Sequence, residues 1–571
     1  MISIIKKVIG NTPKQWAIFS FGLYFLVLLH YFQLNQGGSG LNHPMNPLGW
    51  IIVSVVIACA LVQIARSGHF RFNYLSKNFA IACLILLIPL VYSGETGWYS
   101  HQRLLGLFAG LALLFSIQQL NFKRRDYFKV FFFIIIAAAL ESTLGLFQYY
   151  VLPYFPELNL NTARPSALFF QPNVAASFFV IGALLSLVAL QRGPKKTALL
   201  GYFCYFCTLT CAMAIGLLQS RTGYIAAIVG SILLLSHSSA VNKKWLATVT
   251  LGILISVISI NSLERFSRSS EVYGHPGLRV QIYTDSLEII AKRPLMGHGY
   301  GSFIPTYLEH QADKLHKKNT GESYRPAYKM DHPHNEVLLW LVEGGLIGLA
   351  AMLLIFFTIC RVLFRAQKQR LLLLALLFPS AFHTLTEFPF YQSVAAWMVF
   401  IIFCAFALPQ TQCMTISTSK ASVYHLTATL LVIITTLYMV SILISQQRVS
   451  RTAEDPQSAV ILNTALPFVS DSFIELRNQQ RLSISMQRGL DSEVNYYFNW
   501  AGKVNQVAPR PNRYKNQLLA ALYFKKIELA NKILAQAKAL YPTVDWQEQE
   551  EWINQRKTEI RRTNQTANPV N

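Results

Sequence analysis

The sequence predicts an all-α polytopic membrane protein of about 13 transmembrane helices, with one large hydrophilic loop and a hydrophilic, helical C-terminal extension. Three observations carry this prediction. Hydrophobic residues make up 53% of the 571 residues and charged residues only 13%, whereas soluble domains carry about 25% charged residues. Apolar runs recur at about the length of a membrane-spanning helix. The excess of 50 basic over 27 acidic residues collects in alternate connections between those runs.

The apolar runs occupy most of the chain up to residue 445. A helix that crosses the hydrocarbon core needs about 20 mostly apolar residues, and only the runs at 79–93 and 223–236 are clearly short. The first run follows Lys14, and no small-residue cleavage site comes after it, so we expect an uncleaved anchor. The runs lie near residues 16–34, 48–65, 79–93, 104–120, 128–151, 172–190, 197–218, 223–236, 245–262, 336–359, 371–386, 393–409 and 424–445.

The distribution of Lys and Arg orients the predicted spans. With the N-terminus in the cytoplasm, the short outer connections hold only Arg103, Arg164 and Arg221. This asymmetry follows the positive-inside rule, and it accounts for much of the basic excess without a nucleic-acid partner. The C-terminus is then predicted outside. The basic residues of the cytoplasmic connections include Lys6, Lys7, Arg66, Arg71, Lys123, Arg124, Arg125, Arg192, Lys243, Arg361 and Arg365.

Two hydrophilic regions remain, and this orientation places both on the outer face. One is a loop of about 263–335 within a transmembrane bundle of residues 1–445, and the other is the C-terminal region 446–571. Within 513–541, apolar and small side chains recur at helical spacing. That pattern predicts two antiparallel helices, similar to one tetratricopeptide unit.

Cysteine placement argues against a redox or metal role. Seven of the eight cysteines lie in apolar runs, and Cys413 lies in a short loop. Cys204 and Cys207 have the spacing of a redox motif, but a membrane-length apolar run surrounds them. We therefore interpret them as buried hydrophobic side chains and expect no structural disulfide.

Unusual polar residues gather at the outer ends of the predicted spans, first around His332, His334 and Asn335. Asn335 is a suitable N-cap, so His334 would stand at the mouth of a spanning helix. The positive end of that helix dipole disfavours imidazolium, and a neutral imidazole could accept a proton from a hydroxyl. Alternatively, both histidines merely line an interfacial turn. Glu343 lies about two turns deeper, where an acid is costly unless it is paired, and the glycines after it would allow close helix packing.

Further polar elements lie on the same face. The glycines of residues 294–301 do not follow a strand, so we interpret them as a tight turn that returns the loop to the membrane. Each element alone could be a helix cap or an interfacial anchor. They contain Gln171, Pro172 and Asn173 before the sixth run, Arg221 after the seventh, Arg279 in the large loop, and Glu387, Pro389 and Tyr391 after the eleventh.

Together these elements resemble the O-antigen ligase (Wzy-C) superfamily. The resemblance rests on the His334-Asn335 pair and the Glu-x-Gly-x-x-Gly that starts at Glu343, on Pro-x-x-Gly-x-Gly-x-Gly at 294–301, and on two arginines, Arg221 and Arg279. The Gln-Pro-Asn and Glu-x-Pro-x-Tyr elements and the C-terminal extension are similar to the PglL-type bacterial O-linked protein oligosaccharyltransferases, the pilin glycosylation ligases. The resemblance covers about residues 150–545.

The resemblance implies transfer of an oligosaccharide from undecaprenyl diphosphate to a Ser or Thr hydroxyl of an acceptor protein, such as a type IV pilin. It places the enzyme in the bacterial inner membrane, with the loop, the C-terminus and the active site periplasmic. It implies neither a cofactor nor a metal. His334 would orient or deprotonate the hydroxyl. Arg221 and Arg279 would bind the diphosphate, because Arg suits bidentate phosphate contacts. Positioning and supporting roles would fall to Gln171, Asn173, Tyr391, Glu387, His332, Asn335 and Glu343.

Four alternatives stay open at this point. An O-antigen ligase acting on lipid A core sugar shares the chemistry and differs only in its acceptor, and a glycan polymerase joins repeat units to each other. A lipid-linked glycan flippase or transporter belongs to another class, but it would carry polar residues along a path through the bilayer midplane. A non-enzymatic assembly scaffold would leave the His334-Asn335 element without a role.

Overall fold

The computed structural model is almost entirely helical. It describes residues 11–33, 40–155, 164–193, 197–237, 242–263, 278–317, 324, 326–327, 332–407, 411–417, 421–454, 466 and 468–567. Lys6 and Lys7 lie outside these residues, as do parts of the predicted loop of about 263–335. The first half of the chain forms α1 Pro13–Leu26, α2 Met45–Ser67, α3 Tyr74–Ile85, α4 His101–Gln119, α5 Arg124–Tyr150, α6 Pro172–Arg192, α7 Ala198–Leu218, α8 Arg221–His237 and α9 Lys243–Leu263.

The second half continues the bundle and adds a helical C-terminal region. Short 3-10 helices at Ile88–Tyr92 and Gly94–Ser100 extend α3 and adjoin α4, and another at Ala167–Phe169 precedes α6. The α-helices are α10 Arg279–Lys292, α11 Phe303–Lys317, α12 Glu336–Arg365, α13 Arg370–His383, α14 Pro389–Gln392, α15 Val394–Ala407, α16 Ala421–Glu454, α17 Asp471–Arg488, α18 Asp491–Val507, α19 Pro511–Tyr523, α20 Ile527–Leu540 and α21 Gln547–Ala567.

Nine helices within the described ranges are long and apolar enough to cross a bilayer. The prediction of an all-α polytopic membrane protein is therefore confirmed. Shorter apolar helices cover three more predicted runs, and α1 covers the first; the number of spans and the outer placement of the loop stay predictions. The nine lie at Met45–Ser67, Tyr74–Tyr92, Gly94–Gln119, Arg124–Tyr154, Pro172–Arg192, Ala198–Leu218, Lys243–Leu263, Glu336–Arg365 and Ala421–Thr452, and the three at Arg221–His237, Arg370–His383 and Val394–Ala407.

A two-stranded antiparallel ribbon corrects the expectation that Cys413 lies in a loop. Strand β1, His69–Phe72, pairs with β2, Gln412–Thr415, so that Cys413 stands opposite Arg71. The pairing joins segments far apart in sequence, and a four-residue strand has too few side chains to show alternation. The thiol of Cys413 is exposed, while Cys204 and Cys207 are buried as predicted.

Helix α12 is broken at Gly345, where the backbone has φ +57° and ψ −148°. The glycine turn 294–301 binds the break: His298 N donates to Val342 O at 2.8 Å, and Leu346 N donates to Pro294 O at 2.9 Å. A Cβ on Gly345 would lie 2.5 Å from the backbone nitrogen of Gly297. The expectation that these glycines serve close helix packing is therefore wrong for Gly345, which permits the break.

Helices α10 and α11 cover the end of α12 that carries His334, which we call the histidine end of the bundle. Their apolar faces form one cluster with that helix, made of Ile282, Ile289, Phe303, Tyr307, Leu339, Val342 and Phe388. On its other side, α11 packs through Leu308 against the C-terminal helices. The two helices over the segment 513–541, α19 and α20, pack against each other. Helix α11 therefore links the histidine end to the C-terminal region.

Candidate active site

His334 and Glu387 form the centre of the histidine end. Asn335 caps α12 by accepting a hydrogen bond from Leu338 N at 3.1 Å, and His334 precedes it with φ +54°. Nδ1 of His334 lies 2.8 Å from Oε2 of Glu387. Because a carboxylate only accepts hydrogen bonds, we infer that Nδ1 carries the proton and that Nε2 presents its lone pair.

Arg279 binds the other oxygen of the same carboxylate. Its guanidinium lies 2.8 Å from Oε1 of Glu387, and the arginine side chain is 39% exposed while the glutamate is 6% exposed. Burial raises the pKa of Glu387. The hydrogen bond and charge of His334 and the charge of Arg279 lower the pKa by a larger amount, so that the net shift is downward. Glu387 therefore stays ionised and holds both the imidazole and the guanidinium.

His332 supports the turn that presents His334. Its Nδ1 accepts a hydrogen bond from His334 N at 3.1 Å, and its ring packs against that of Phe388, with centroids 4.2 Å apart. The side chains of His332, His334 and Glu387 also offer ligand atoms within 4.8 Å of one another. They could hold a metal ion, so the expected metal independence stays a prediction.

Two other predicted elements meet at the start of α8. Ser220 donates a hydrogen bond to Oδ1 of Asn173 at 2.7 Å, and Thr222 lies 3.0 Å from the hydroxyl of Thr386, the residue before Glu387. Arg221, half-buried, is the residue between them. The residues on either side of Arg221 thus contact the Gln-Pro-Asn element and the residue before Glu387, and the predicted diphosphate-binding role of Arg221 stays a prediction.

Gln171 has a clear local role in the structure. As N-cap of α6 its side-chain oxygen accepts hydrogen bonds from Asn173 N at 2.5 Å and Val174 N at 3.1 Å. That oxygen is therefore engaged in capping the start of the helix, and the predicted part of Gln171 in substrate positioning stays a prediction.

Glu343 and Tyr391 belong to a second polar cluster, next to the first. Glu343 pairs with Arg103, as the cost of burying a lone acid requires. The guanidinium of Arg103 also stacks over the rings of Tyr300 and Trp340, at 5.0 and 4.5 Å from their centroids. This pairing answers the question of how an acid at that depth is stabilised.

Glu336 completes this second cluster. Its carboxylate accepts a hydrogen bond from Nε1 of Trp340 at 3.3 Å and interacts with the Tyr391 hydroxyl. Neither Glu336 nor a functional role for Arg103 was predicted from the sequence. The signal in the sequence was weak: Arg103 is one of three arginines predicted in the short outer connections, and Glu336 has the position of an ordinary first-turn acid.

A cavity of about 770 Å³ opens beside both clusters. Such a volume is within the range of small-molecule sites, about 300–1,000 Å³. Its walls are mostly apolar and come from α2, α3, α4, α12, α13 and α15. Thr384, Leu385 and Tyr391, which flank Glu387 in the chain, also line it, so the cavity adjoins the His334 site.

A buried histidine was missed as well. His383, at the end of α13, lies 2.9 Å from the hydroxyl of Ser177 and is fully buried. It stands four residues before Glu387, whose backbone nitrogen donates to His383 O at 2.9 Å. A histidine within an apolar run is hard to recognise as a site residue, because the local sequence does not indicate which residue its side chain contacts.

Fold and site together define a multi-pass membrane protein with a histidine–carboxylate pair at one end of its bundle. Residues 206–353 match a family described as O-Antigen ligase, and residues 371–556 match one described as virulence factor membrane-bound polymerase, C-terminal. The chain belongs to the O-antigen ligase superfamily. It is accordingly a membrane enzyme of the glycan ligase or polymerase type. No curated protein matches the chain.

Proposed function

We propose that this enzyme transfers an oligosaccharide en bloc from undecaprenyl diphosphate to a Ser or Thr hydroxyl of an acceptor protein, such as a type IV pilin, at the periplasmic face of the inner membrane. The observation that carries the proposal is the contact of 2.8 Å between His334 and Glu387, beside an apolar cavity lined by candidate membrane-spanning helices. This arrangement puts a base that can accept a hydroxyl proton next to a cavity that can bind a lipid.

The chemistry follows from the orientation of His334. Its Nε2 accepts the hydroxyl proton as the hydroxyl oxygen attacks the anomeric carbon of the donor. The bond from that carbon to the diphosphate breaks, the configuration inverts, and undecaprenyl diphosphate leaves with the bonding electrons. Glu387 stabilises the imidazolium that forms. The proton then passes to the diphosphate or to water.

The arginines serve the leaving group. Arg279 is partly exposed beside Glu387, and Arg221 begins α8 nearby. Guanidinium groups suit phosphate oxygens, and cations aimed at the charge that develops on the diphosphate lower the barrier.

The cavity suits a polyprenyl chain. Leu353 and Phe356 of the candidate span α12 line it, and 41% and 57% of their surface is exposed. A lipid tail can therefore enter from the bilayer, where such apolar side chains face acyl chains. This arrangement supports a lipid-linked donor.

The second candidate function is that of a glycan polymerase. The match of residues 371–556 to a polymerase C-terminal family favours it. Both reactions use the same donor and the same base, and they differ in whether the attacking hydroxyl belongs to a protein or to another glycan.

Reconstitution tests the proposal. Purified enzyme would be supplied with an undecaprenyl-diphosphate oligosaccharide and a pilin, and the products read by intact mass. We expect addition of one glycan mass to the pilin, lost in His334→Ala. His316→Ala is the matched control, because His316 is an exposed histidine of α11. A ladder of longer lipid-linked glycans without pilin modification would favour the polymerase, and transfer to lipid A core would favour the ligase.

A further inference from the structure

Two ionisable groups of the cavity wall, Arg103 and Glu336, have no role in the proposed mechanism. Among the described residues that line it, Arg103 is the only cation and Glu336 the only acid. Arg103 lies on α4, and its side chain is 10% exposed. The other arginines assigned to the donor, Arg221 and Arg279, do not line the cavity. An apolar cavity with a single cation at its polar end suits an anionic amphiphile.

The guanidinium of Arg103 has hydrogen-bonding capacity left. Nε of Arg103 is buried and has no hydrogen-bond partner among the described residues. An Arg side chain offers five N–H donors, and Glu343 accepts from one terminal nitrogen. A buried donor without a partner is costly, so a ligand oxygen at this position would be stabilised.

The surroundings hold Arg103 in place. Tyr300 and Trp340 lie against its guanidinium, and Glu343 stands at the break of α12 that the glycine turn binds. Glu336, the acid nearby, is itself engaged by Trp340 and Tyr391. A guanidinium fixed in this way loses little conformational entropy when it binds a phosphate.

We infer that Arg103 binds the lipid-proximal phosphate of the polyprenyl diphosphate, whereas Arg279 and Arg221 serve the phosphate attached to the sugar. The inference rests on the proposed function. A prenyl chain in the cavity puts its first phosphate at the polar end, where Arg103 lies. The second phosphate and the sugar then extend past Tyr391 and Phe388 towards His334: the rings of Tyr391 and Phe388 are 5.3 Å apart, and Phe388 contacts His332.

Binding of a short prenyl phosphate tests this directly. Farnesyl monophosphate and farnesol would be titrated into the purified full-length protein by calorimetry. We expect the wild type to prefer the phosphate. Arg103→Gln should lose about 10- to 150-fold of that preference, which is the contribution of hydrogen bonds to a charged group. Arg293→Gln should leave the preference for the monophosphate within about three-fold of wild type, because Arg293 is an exposed arginine that does not line the cavity.

Glu343→Gln tests whether Arg103 binds phosphate or only forms a structural ion pair with Glu343. It removes the partner of Arg103 but leaves the guanidinium, so the phosphate preference should persist or increase. Equal losses in Glu343→Gln and Arg103→Gln would overturn the inference, as would an unchanged preference in Arg103→Gln. If Arg103→Gln fails to fold, Arg103→Lys replaces it: a partial loss supports the inference and an unchanged preference overturns it. Absence of any phosphate preference in the wild type would instead refute the lipid-linked donor of the proposed function.

Discussion

Replacing Glu387 by Gln is the sharpest test of how His334 works. The change keeps the size of the side chain but removes the charge that binds Nδ1 of His334 and the guanidinium of Arg279, each at 2.8 Å. A glutamine amide can donate to Nδ1 as well as accept from it. When it donates, the proton moves to Nε2, and the imidazole can no longer accept a proton from the hydroxyl.

The size of the effect follows from these two contacts. A hydrogen bond to a charged group contributes about 1.5–3 kcal/mol, which corresponds to about 10- to 150-fold in rate when it is lost in the transition state. The wrong tautomer adds to this loss, and the equivalent change in a Ser-His-Asp triad costs about 10⁴-fold. We therefore expect Glu387→Gln to lower turnover by about 10²- to 10⁴-fold.

Single-turnover transfer to pilin, read by intact mass, measures this loss. Glu288→Gln is the matched control, because Glu288 is an acid on α10 with a cationic partner, Lys314, at 2.7 Å. The pKa of Glu387 is lowered in the folded protein. The contribution of its carboxylate to folding stability is therefore complete above the pKa of Glu in the unfolded chain, and it is lost as the pH falls through the lowered pKa. Turnover of Glu387→Gln within about three-fold of wild type would refute the orienting role.

Two further predictions concern the helices that surround the site, α12 and α11. Gly345→Ala should lower the thermal midpoint and the yield of folded protein, because Cβ would meet the nitrogen of Gly297 at 2.5 Å, whereas Gly201→Ala, with nothing within 4 Å, should fold normally. His310 has its pKa lowered by burial and then by Lys292, so the unfolded state takes up the proton more readily. The protection of the α11 amides, which is their exchange rate relative to the intrinsic rate at each pH, should therefore fall as the pH is lowered from about 7.5 to about 5.5; unchanged protection would contradict this.

Local features of the site could be predicted from the sequence, but contacts between distant segments could not. Asn335 and the apolar run after it predict a capped helix with His334 at its mouth, and the structure has this arrangement. The bond from His334 to Glu387 joins residues 53 positions apart, and that from Arg103 to Glu343 joins residues 240 positions apart. Polarity at the ends of spans indicates where such residues gather, but it does not indicate which pairs form.

Glycine at a helix interior was the least informative signal. Gly345 fits close packing and a backbone break equally well on the sequence alone, because both need the absence of a Cβ. Only the position of the turn 294–301 decides between them, since its backbone supplies the hydrogen bonds that the broken helix lacks. The same holds for Cys413, whose strand depends on a partner near the start of the chain.

The break in α12 has a consequence for how the enzyme responds to its bilayer. Helices adapt to membranes of different thickness by tilting, and a continuous helix would rotate His334 along with its lower part. Here Gly345 separates the segment 336–344 from the rest of the helix. The backbone nitrogens of His298 and Gly299 bind the carbonyls of Val342 and Glu343 and so fix that segment to the loop, while Pro294 holds Leu346 just beyond the break. We expect the direction of the imidazole to be insensitive to lipid chain length, even where the helix below it leans.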